Sequence, residues 1–192
     1  MKRHLLLTGP PGCGKTTVIQ KLVDLLAAEA VPMYGFWTAE IREQGVRQGF
    51  EVELMSGQSG ILAHVDLDHG PRVSKYRVNL SAMHSLVVPE IREALESSRE
   101  RDAVLLLDEI GKMELHSVDF REVLREALLS PLRIVATVME ASDAFVDPLK
   151  ERPDTEVVHL GAIDRDLLPL QIAHAVAFKR DFALIGETEA LE

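Results

Sequence analysis

Apolar residues follow two rhythms along the chain, and their alternation carries the first structural information. His4 to Thr8 is a short apolar strand that runs straight into GPPGCGKTT. Beyond it Val18, Ile19, Leu22, Val23, Leu25 and Leu26 recur at three- and four-residue spacing, which predicts a helix over 15–30 with one buried face, stopped by Pro32. Met33 to Ile41 reads as a second strand. Ala103 to Leu107 and Arg133 to Val138 are near-continuous apolar runs, the pattern of parallel strands covered on both faces. Helical periodicity marks Ala82 to Arg99, Asp119 to Leu129, Asp143 to Lys150 and Leu167 to Phe178, and Glu156 to Leu160 is a last strand.

Between Gly45 and Asn79 the rhythm changes. Glycines at 45, 49, 57, 60 and 70 separate short pieces, Phe50 to Met55, Ile61 to Val65 and Val73 to Val78, which read as antiparallel hairpins. Strand and helix alternate elsewhere, so the expected fold is three-layer α/β/α, with a mainly parallel central sheet and an antiparallel hairpin extension. One domain over 1–180 is expected, followed by a loose tail over 181–192.

Composition narrows the partners. The 192 residues are 46% hydrophobic and 27% charged, as in ordinary globular chains. The formal charge of -10, from 21 Lys and Arg against 31 Asp and Glu, disfavours a general grip on nucleic acid or an anionic membrane. No apolar run approaches the length of a membrane span, and Gly9 interrupts the run at Leu5 to Leu7 that a signal peptide would need. Cys13 is the one cysteine, which excludes an intramolecular disulfide and suits a reducing compartment. A cytoplasmic monomer is the expectation.

Against that acidic background, phosphate must be captured locally, and the chain carries a device for it. Gly9, Gly14, Lys15 and Thr16 satisfy GxxxxGK[ST], with a strand before and a helix after, the context that separates a phosphate loop (P-loop) from a chance match. The loop Gly9, Pro10, Pro11, Gly12, Cys13, Gly14, Lys15, Thr16, Thr17 would turn its N–H groups onto the β-phosphate, with the helix N-terminus adding its positive end. Lys15 would bridge the β- and γ-phosphates, and the Thr16 hydroxyl would ligate Mg²⁺. The Cys13 position asks only for a small side chain.

A second site element follows Val104 to Leu107, where Asp108 and Glu109 close a buried strand. An Asp there holds Mg²⁺ through water, and an adjacent Glu can orient or deprotonate the attacking water. The competing reading makes Asp108 a strand terminator or cap and Glu109 a solvated charge.

The stretch DEIGKMELHS, residues 108–117, resembles the THEP1 family, also described as cancer-related nucleoside-triphosphatases. GFWTAEIREQGVRQGFEV (35–52), RVSKYRV (72–78), RIVATV (133–138) and FVDPLKERPD (145–154) are similar to that family too, so the likeness spans most of the chain. It implies a small α/β enzyme that hydrolyses ATP, GTP and other nucleoside triphosphates with Mg²⁺, slowly. It also implies nucleotide contacts over Gly9 to Thr16 and over Val104, Leu105, Leu106, Leu107, Asp108, Glu109, Ile110 and Gly111. Two departures stand out. Ser74 occupies a position where the family often has Gly, and Asp164-Arg165 one where it often has Asn-Arg, which puts base contacts from that segment in doubt.

Charge developing on a γ-phosphate in flight often recruits a second cation. Lys112 ranks first, inside the DEIGKMEL motif, ahead of Arg42, Arg47, Lys150 and Arg152; Arg152 reads as a lid residue. Thr137, near the end of its strand, is a candidate sensor of the γ-phosphate or a buried Thr bonded to backbone. Phe36 and Trp37 could stack a base, against a core role. Histidines show no metal-binding spacing. Three readings follow: a triphosphatase acting through Lys15, Glu109 and Lys112; a kinase using the same loop; and a nucleotide-switched binding module.

Overall fold

A computed structural model describes residues 1–98, 102–161 and 166–185. A nine-stranded sheet forms its centre, in the order β5-β6-β4-β3-β2-β7-β8-β1-β9. The strands are β1 (His4–Thr8), β2 (Met33–Glu43), β3 (Val46–Leu54), β4 (Ser59–His64), β5 (Arg72–Val73), β6 (Tyr76–Val78), β7 (Val104–Ile110), β8 (Arg133–Val138) and β9 (Thr155–His159). From β2 through β7, β8 and β1 to β9 every pairing is parallel, while β3, β4, β6 and β5 extend the sheet antiparallel. This is the expected architecture.

The helices are α1 (Lys15–Ala28), α2 (Leu80–Ala82), α3 (Val88–Ser97), α4 (Val118–Leu129), α5 (Val146–Lys150) and α6 (Leu168–Ala177). Strand alternation explains how they layer. On β7, Leu105 and Leu107 face α3 and α4, packing with Ile91, Phe120 and Leu124. Val104 and Leu106 face the other way, packing with Leu22 and Leu26 of α1 and Ile172 of α6. Apolar on both faces, β7 has the continuous run that two helical layers require.

Several boundaries differ from expectation for identifiable reasons. The stretch expected as one strand over 73–78 is a hairpin, because Ser74 turns left-handed at φ 57. Helix formation over 143–150 begins only at Val146, since Asp143 Oδ1 accepts the N–H groups of Phe145 and Val146 and caps the turn instead. The helix expected over 82–99 starts earlier, at Leu80, where Asn79 Oδ1 accepts the Ala82 N–H, and it contains a π-helical turn over Met83–Val87. Its expected end at Arg99 lies outside the described residues. The loose tail expected from 181 does not begin there: Phe182 is fully buried and its N–H bonds the Lys2 carbonyl at 2.9 Å. Residues 186–192 lie outside the described residues.

Candidate active site

β1 sits between β8 and β9, and the chain leaves its end into the Gly9–Thr17 loop. Backbone sterics select the glycines. Gly12 has φ +77 and Gly14 φ +100, left-handed values that cost an L side chain strain. At Gly9 a Cβ would come within 2.9 Å of the Leu160 carbonyl oxygen and 3.0 Å of Cys13 Sγ. The space beside Gly12, by contrast, is open on the loop's exposed face. Gly14 precedes α1 and offers no side-chain cap, so the first N–H groups of the helix remain for an anion. Lys15 folds over the loop, and its Nζ donates to the Gly9 carbonyl at 2.9 Å.

Across β8 from this loop, β7 ends in an irregularity. Leu107 pairs with Ala136 and Ile110 with Val138, so β7 carries one residue more than β8 over this span, a bulge that re-aims Asp108 and Glu109. Expectation ended the strand at Leu107; it continues to Ile110 because the pair stays within the strand. Asp108 is 2% exposed. Thr137 Oγ1 donates to Asp108 Oδ1 at 2.5 Å, while Oδ2 is buried without a hydrogen-bond partner among the described residues. Thr137 is therefore a carboxylate partner, bonded neither to backbone nor set alone toward a phosphate. Burial pushes the Asp108 carboxyl above its ordinary range, opposed by Thr137, Thr16 and Lys15. Glu109 is raised by burial as well, with Lys15 the main opposing charge, and its Oε2 lies 3.8 Å from Lys15 Nζ.

Loop and carboxylates open into a cavity of about 550 Å³. Gly9, Pro11, Lys15, Thr16, Asp108, Glu109, Gly111 and Lys112 line its phosphate end; Pro10, Gly12, Cys13, Gly14 and Thr17 complete the loop without lining it. Val104, Leu105, Leu106, Leu107 and Ile110, expected among the nucleotide contacts, are buried core positions that do not reach the cavity. Only the bulge brings that strand to the site.

The candidate cations separate. Lys112 is exposed, lines the cavity and has no partner among the described residues. Arg42 and Arg47 are tied to Glu40 on the β2–β3 hairpin, with Arg47 also bonded to the Tyr76 hydroxyl. Lys150 Nζ donates to the Met139 carbonyl. Arg152 is no lid residue: it bonds Asp154 and the Leu128 carbonyl at the opposite end of the sheet, where Asp154 receives the His4 N–H at the start of β1. Phe36 is likewise core, buried edge-on against Phe120 at 6.1 Å. Trp37 is partly buried and alternates to the other face of β2, away from its cavity-lining neighbour Thr38. Asp164-Arg165 lies outside the described residues.

One functional candidate escaped the sequence reading. Glu114 lines the cavity yet is only 5% exposed, accepting the Gly111 N–H at Oε2 over 3.1 Å. Burial pushes its carboxyl up to about 8, with Glu109 and Asp108 nearby adding to the shift. Its sequence signal was its place three residues after Gly111, a spacing that lets a side chain reach back to that N–H.

The donors suit Mg²⁺. The Thr16 hydroxyl and the unpartnered Asp108 Oδ2 are hard oxygen ligands, and one carboxylate plus substrate phosphates is the usual set for this ion. Among the described residues no group of three His, Cys, Asp or Glu could cage a metal without such help. No helix among them is long and apolar enough to cross a membrane.

A parallel sheet that sends a glycine-rich loop from β1 into a helix, and an acidic pair toward it across β8, defines a P-loop nucleoside-triphosphatase architecture. A family model described as NTPase matches residues 4–173. The chain belongs to this family, that of the THEP1 and cancer-related nucleoside-triphosphatases. It is 42% identical to the nucleoside-triphosphatase THEP1 of Thermotoga petrophila over 176 residues, 92% of this chain and 94% of that one. It is 39% identical to the human cancer-related nucleoside-triphosphatase over 179 residues, 88% and 94% of the two chains. The crystal structure of THEP1 from Aquifex aeolicus superposes with a TM-score of 0.78 at 31% identity, covering 88% of this chain and 96% of that one. The solution structure of the human protein gives 0.79 at 38%, covering 93% and 99%.

Proposed function

We propose that the chain hydrolyses nucleoside triphosphates, ATP and GTP among them, to the diphosphate and phosphate, with Mg²⁺. The observation that carries this reading is the approach of Lys15 Nζ to Glu109 Oε2 at 3.8 Å, beside the unpartnered Asp108 Oδ2. One cation for the phosphates and one carboxylate for water then stand within a single phosphate's reach. Family membership supports the same reaction.

Each group has a distinct task. The loop N–H groups and the start of α1 hold the β-phosphate, and Lys15 exchanges its Gly9 carbonyl for β- and γ-oxygens. Thr16 and Asp108 Oδ2 are the residues for Mg²⁺, which when bound offsets charge on the β- and γ-oxygens. Thr137 fixes the Asp108 carboxyl by occupying Oδ1, which leaves Oδ2 without a partner among the described residues. Glu109 orients water and takes its proton, a task suited to a carboxyl that burial makes more basic than usual. Lys112 supplies the second cation at the γ-phosphate.

Phosphate release across a nucleotide panel, with and without Mg²⁺, tests the assignment. Lys15→Ala should lower turnover by about 100-fold or more, the scale of losing one transition-state donor. Glu109→Gln should lower turnover by about 100-fold while nucleotide affinity stays nearly intact. Full release by the Lys15 variant, or equal losses of turnover and affinity at Glu109, would sink the reading.

A further inference from the structure

Glu109, the carboxylate assigned to the water, is held by few groups. Among the described residues its one ion-pair partner is Lys15, 3.8 Å from Oε2, and Lys15 is the group that turns to the phosphates when nucleotide binds. A carboxylate on two methylenes would then be free to swing, whereas proton abstraction needs it within hydrogen-bond reach of one fixed water. What remains beside it is Gly111. A Cβ built there would lie 2.8 Å from Glu109 Oε1 and 3.0 Å from Glu109 Cγ, so the side chain rests directly against the bare Cα. Gly111 is itself pinned on both sides. Its N–H donates to Glu114 Oε2 at 3.1 Å, and its carbonyl accepts the Leu115 N–H at 3.1 Å.

We infer that Glu114 is a positioning residue for the reaction: by fixing Gly111 it shapes the seat against which the Glu109 carboxylate rests once Lys15 has turned to the phosphates. The inference rests on the proposed role of Glu109 as base and deepens it. Local structure supplies the means. Ile110, 1% exposed, anchors the chain just before Gly111, and the single 3-10 turn Glu114–His116 just after it lets the Glu114 side chain reach back to the Gly111 N–H. Burial of Glu114 also suits the task. Its carboxyl is pushed up to about 8, chiefly by burial, so near neutral pH it is mostly uncharged and holds Gly111 without repelling the Glu109 carboxylate from the seat. Glu114 touches neither the phosphates nor the water in this scheme, and acts only through Gly111 and Glu109.

Steady-state phosphate release from ATP with Mg²⁺, measured on the full chain, tests this. Glu114→Ala should lower kcat by about tenfold or more with KM nearly unchanged, since only the orientation of the base is lost. Glu114→Gln keeps an oxygen acceptor for the Gly111 N–H and should recover most of that rate. Gly111→Ala gives a second route should Glu114→Ala not fold. The Gly111 backbone is not left-handed, and the atoms nearest the new methyl are Glu109 and Glu114 side-chain atoms, so the methyl displaces the carboxylate and should lower kcat on the same scale. A cycle with Glu109→Gln separates positioning from general damage. With the base already removed, either alanine substitution should cost less than about twofold further. Unchanged kcat in both alanine variants, a Gln variant as slow as Ala, a KM that rises as far as kcat falls, or a full loss repeated on the Glu109→Gln background would each overturn the inference and leave Glu109 as base. Undiminished release by Glu109→Gln would instead remove the base, and the inference with it.

Discussion

Glu114 shows what one buried carboxyl costs and what it organises. It lies beneath the 109–114 loop, tying Gly111 in place, and a Cβ at Gly111 would sit 2.8 Å from Glu109 Oε1 and 3.1 Å from Glu114 Oε2. A carboxyl raised to about 8 in the fold but near 4.5 when unfolded binds more protons folded than unfolded between those values. Its stabilising contribution is therefore complete below pH 4.5 and lost as pH rises through 8, at about 1.4 kcal/mol per unit where the proton difference is full. His4 has the opposite sign, since burial lowers it to about 4, and its contribution disappears as pH falls from 6.5 through that value. The wild-type profile mixes the two, but Glu114→Gln keeps an acceptor for Gly111 and removes one. Calorimetric Tm at pH 6 and pH 9 should show the Gln variant gaining on wild type at the higher pH; parallel shifts would mean that Glu114 does not titrate there. Lys15, Thr16 and Asp108 were legible because motif and strand context identify them. Glu114 was not, because a lone Glu after a strand looks like surface charge until the backbone folds back over it.

Between elements, the tightest approach lies where β2 meets β7. Gly35 is left-handed at φ +117, a Cβ there would stand 1.9 Å from the Leu106 carbonyl oxygen, and its N–H donates to the buried Glu90 on α3 at 3.2 Å. Backbone lies on the crowded side, so no side chain can swing away. Gly35→Ala should then cost about 3 kcal/mol or more in urea-unfolding stability through strain and displacement of β2 from β7. A loss below about 0.5 kcal/mol would show that the two strands slide apart freely. Parallel strands such as β7 and β8 could be read from their apolar runs, because burial on both faces leaves no alternation to misread. The hairpin at Ser74 and the bulge at Asp108 could not, since one needs a non-glycine residue in a left-handed turn and the other depends on a partner strand distant in sequence. The same bulge explains why the family-like stretch 104–111 divides into core and site.

Over the whole molecule, the start and finish of the described chain lock together on the face away from the nucleotide loop. Phe182 is wholly buried among the α1 and α6 side chains, with the Arg133 guanidinium 4.2 Å above its ring. Asp181 caps the short turn Phe182–Leu184 by accepting the Ala183 N–H at 3.0 Å, and it also accepts the Lys2 N–H at 2.7 Å. Lys2 in turn reaches the Thr155 carbonyl with its ammonium, so this clasp holds β1 and β9 from below while the phosphate loop works at their other ends. A sequence reading that ended the domain at 180 missed it because the apolar run Phe182 to Ile185 is too short to show a helical or strand periodicity that would reveal burial. Phe182→Ala should therefore cost about 3–5 kcal/mol in urea unfolding, the range for emptying a buried aromatic site. Phosphate release at low temperature, where the variant remains folded, should stay near wild type, since among the described residues none that lines the cavity belongs to the clasp or to the buried cluster around Phe182. A stability loss under about 1 kcal/mol would mean that Phe182 is not buried in solution. A matching fall in release from the folded variant would instead couple the clasp to the loop through β1.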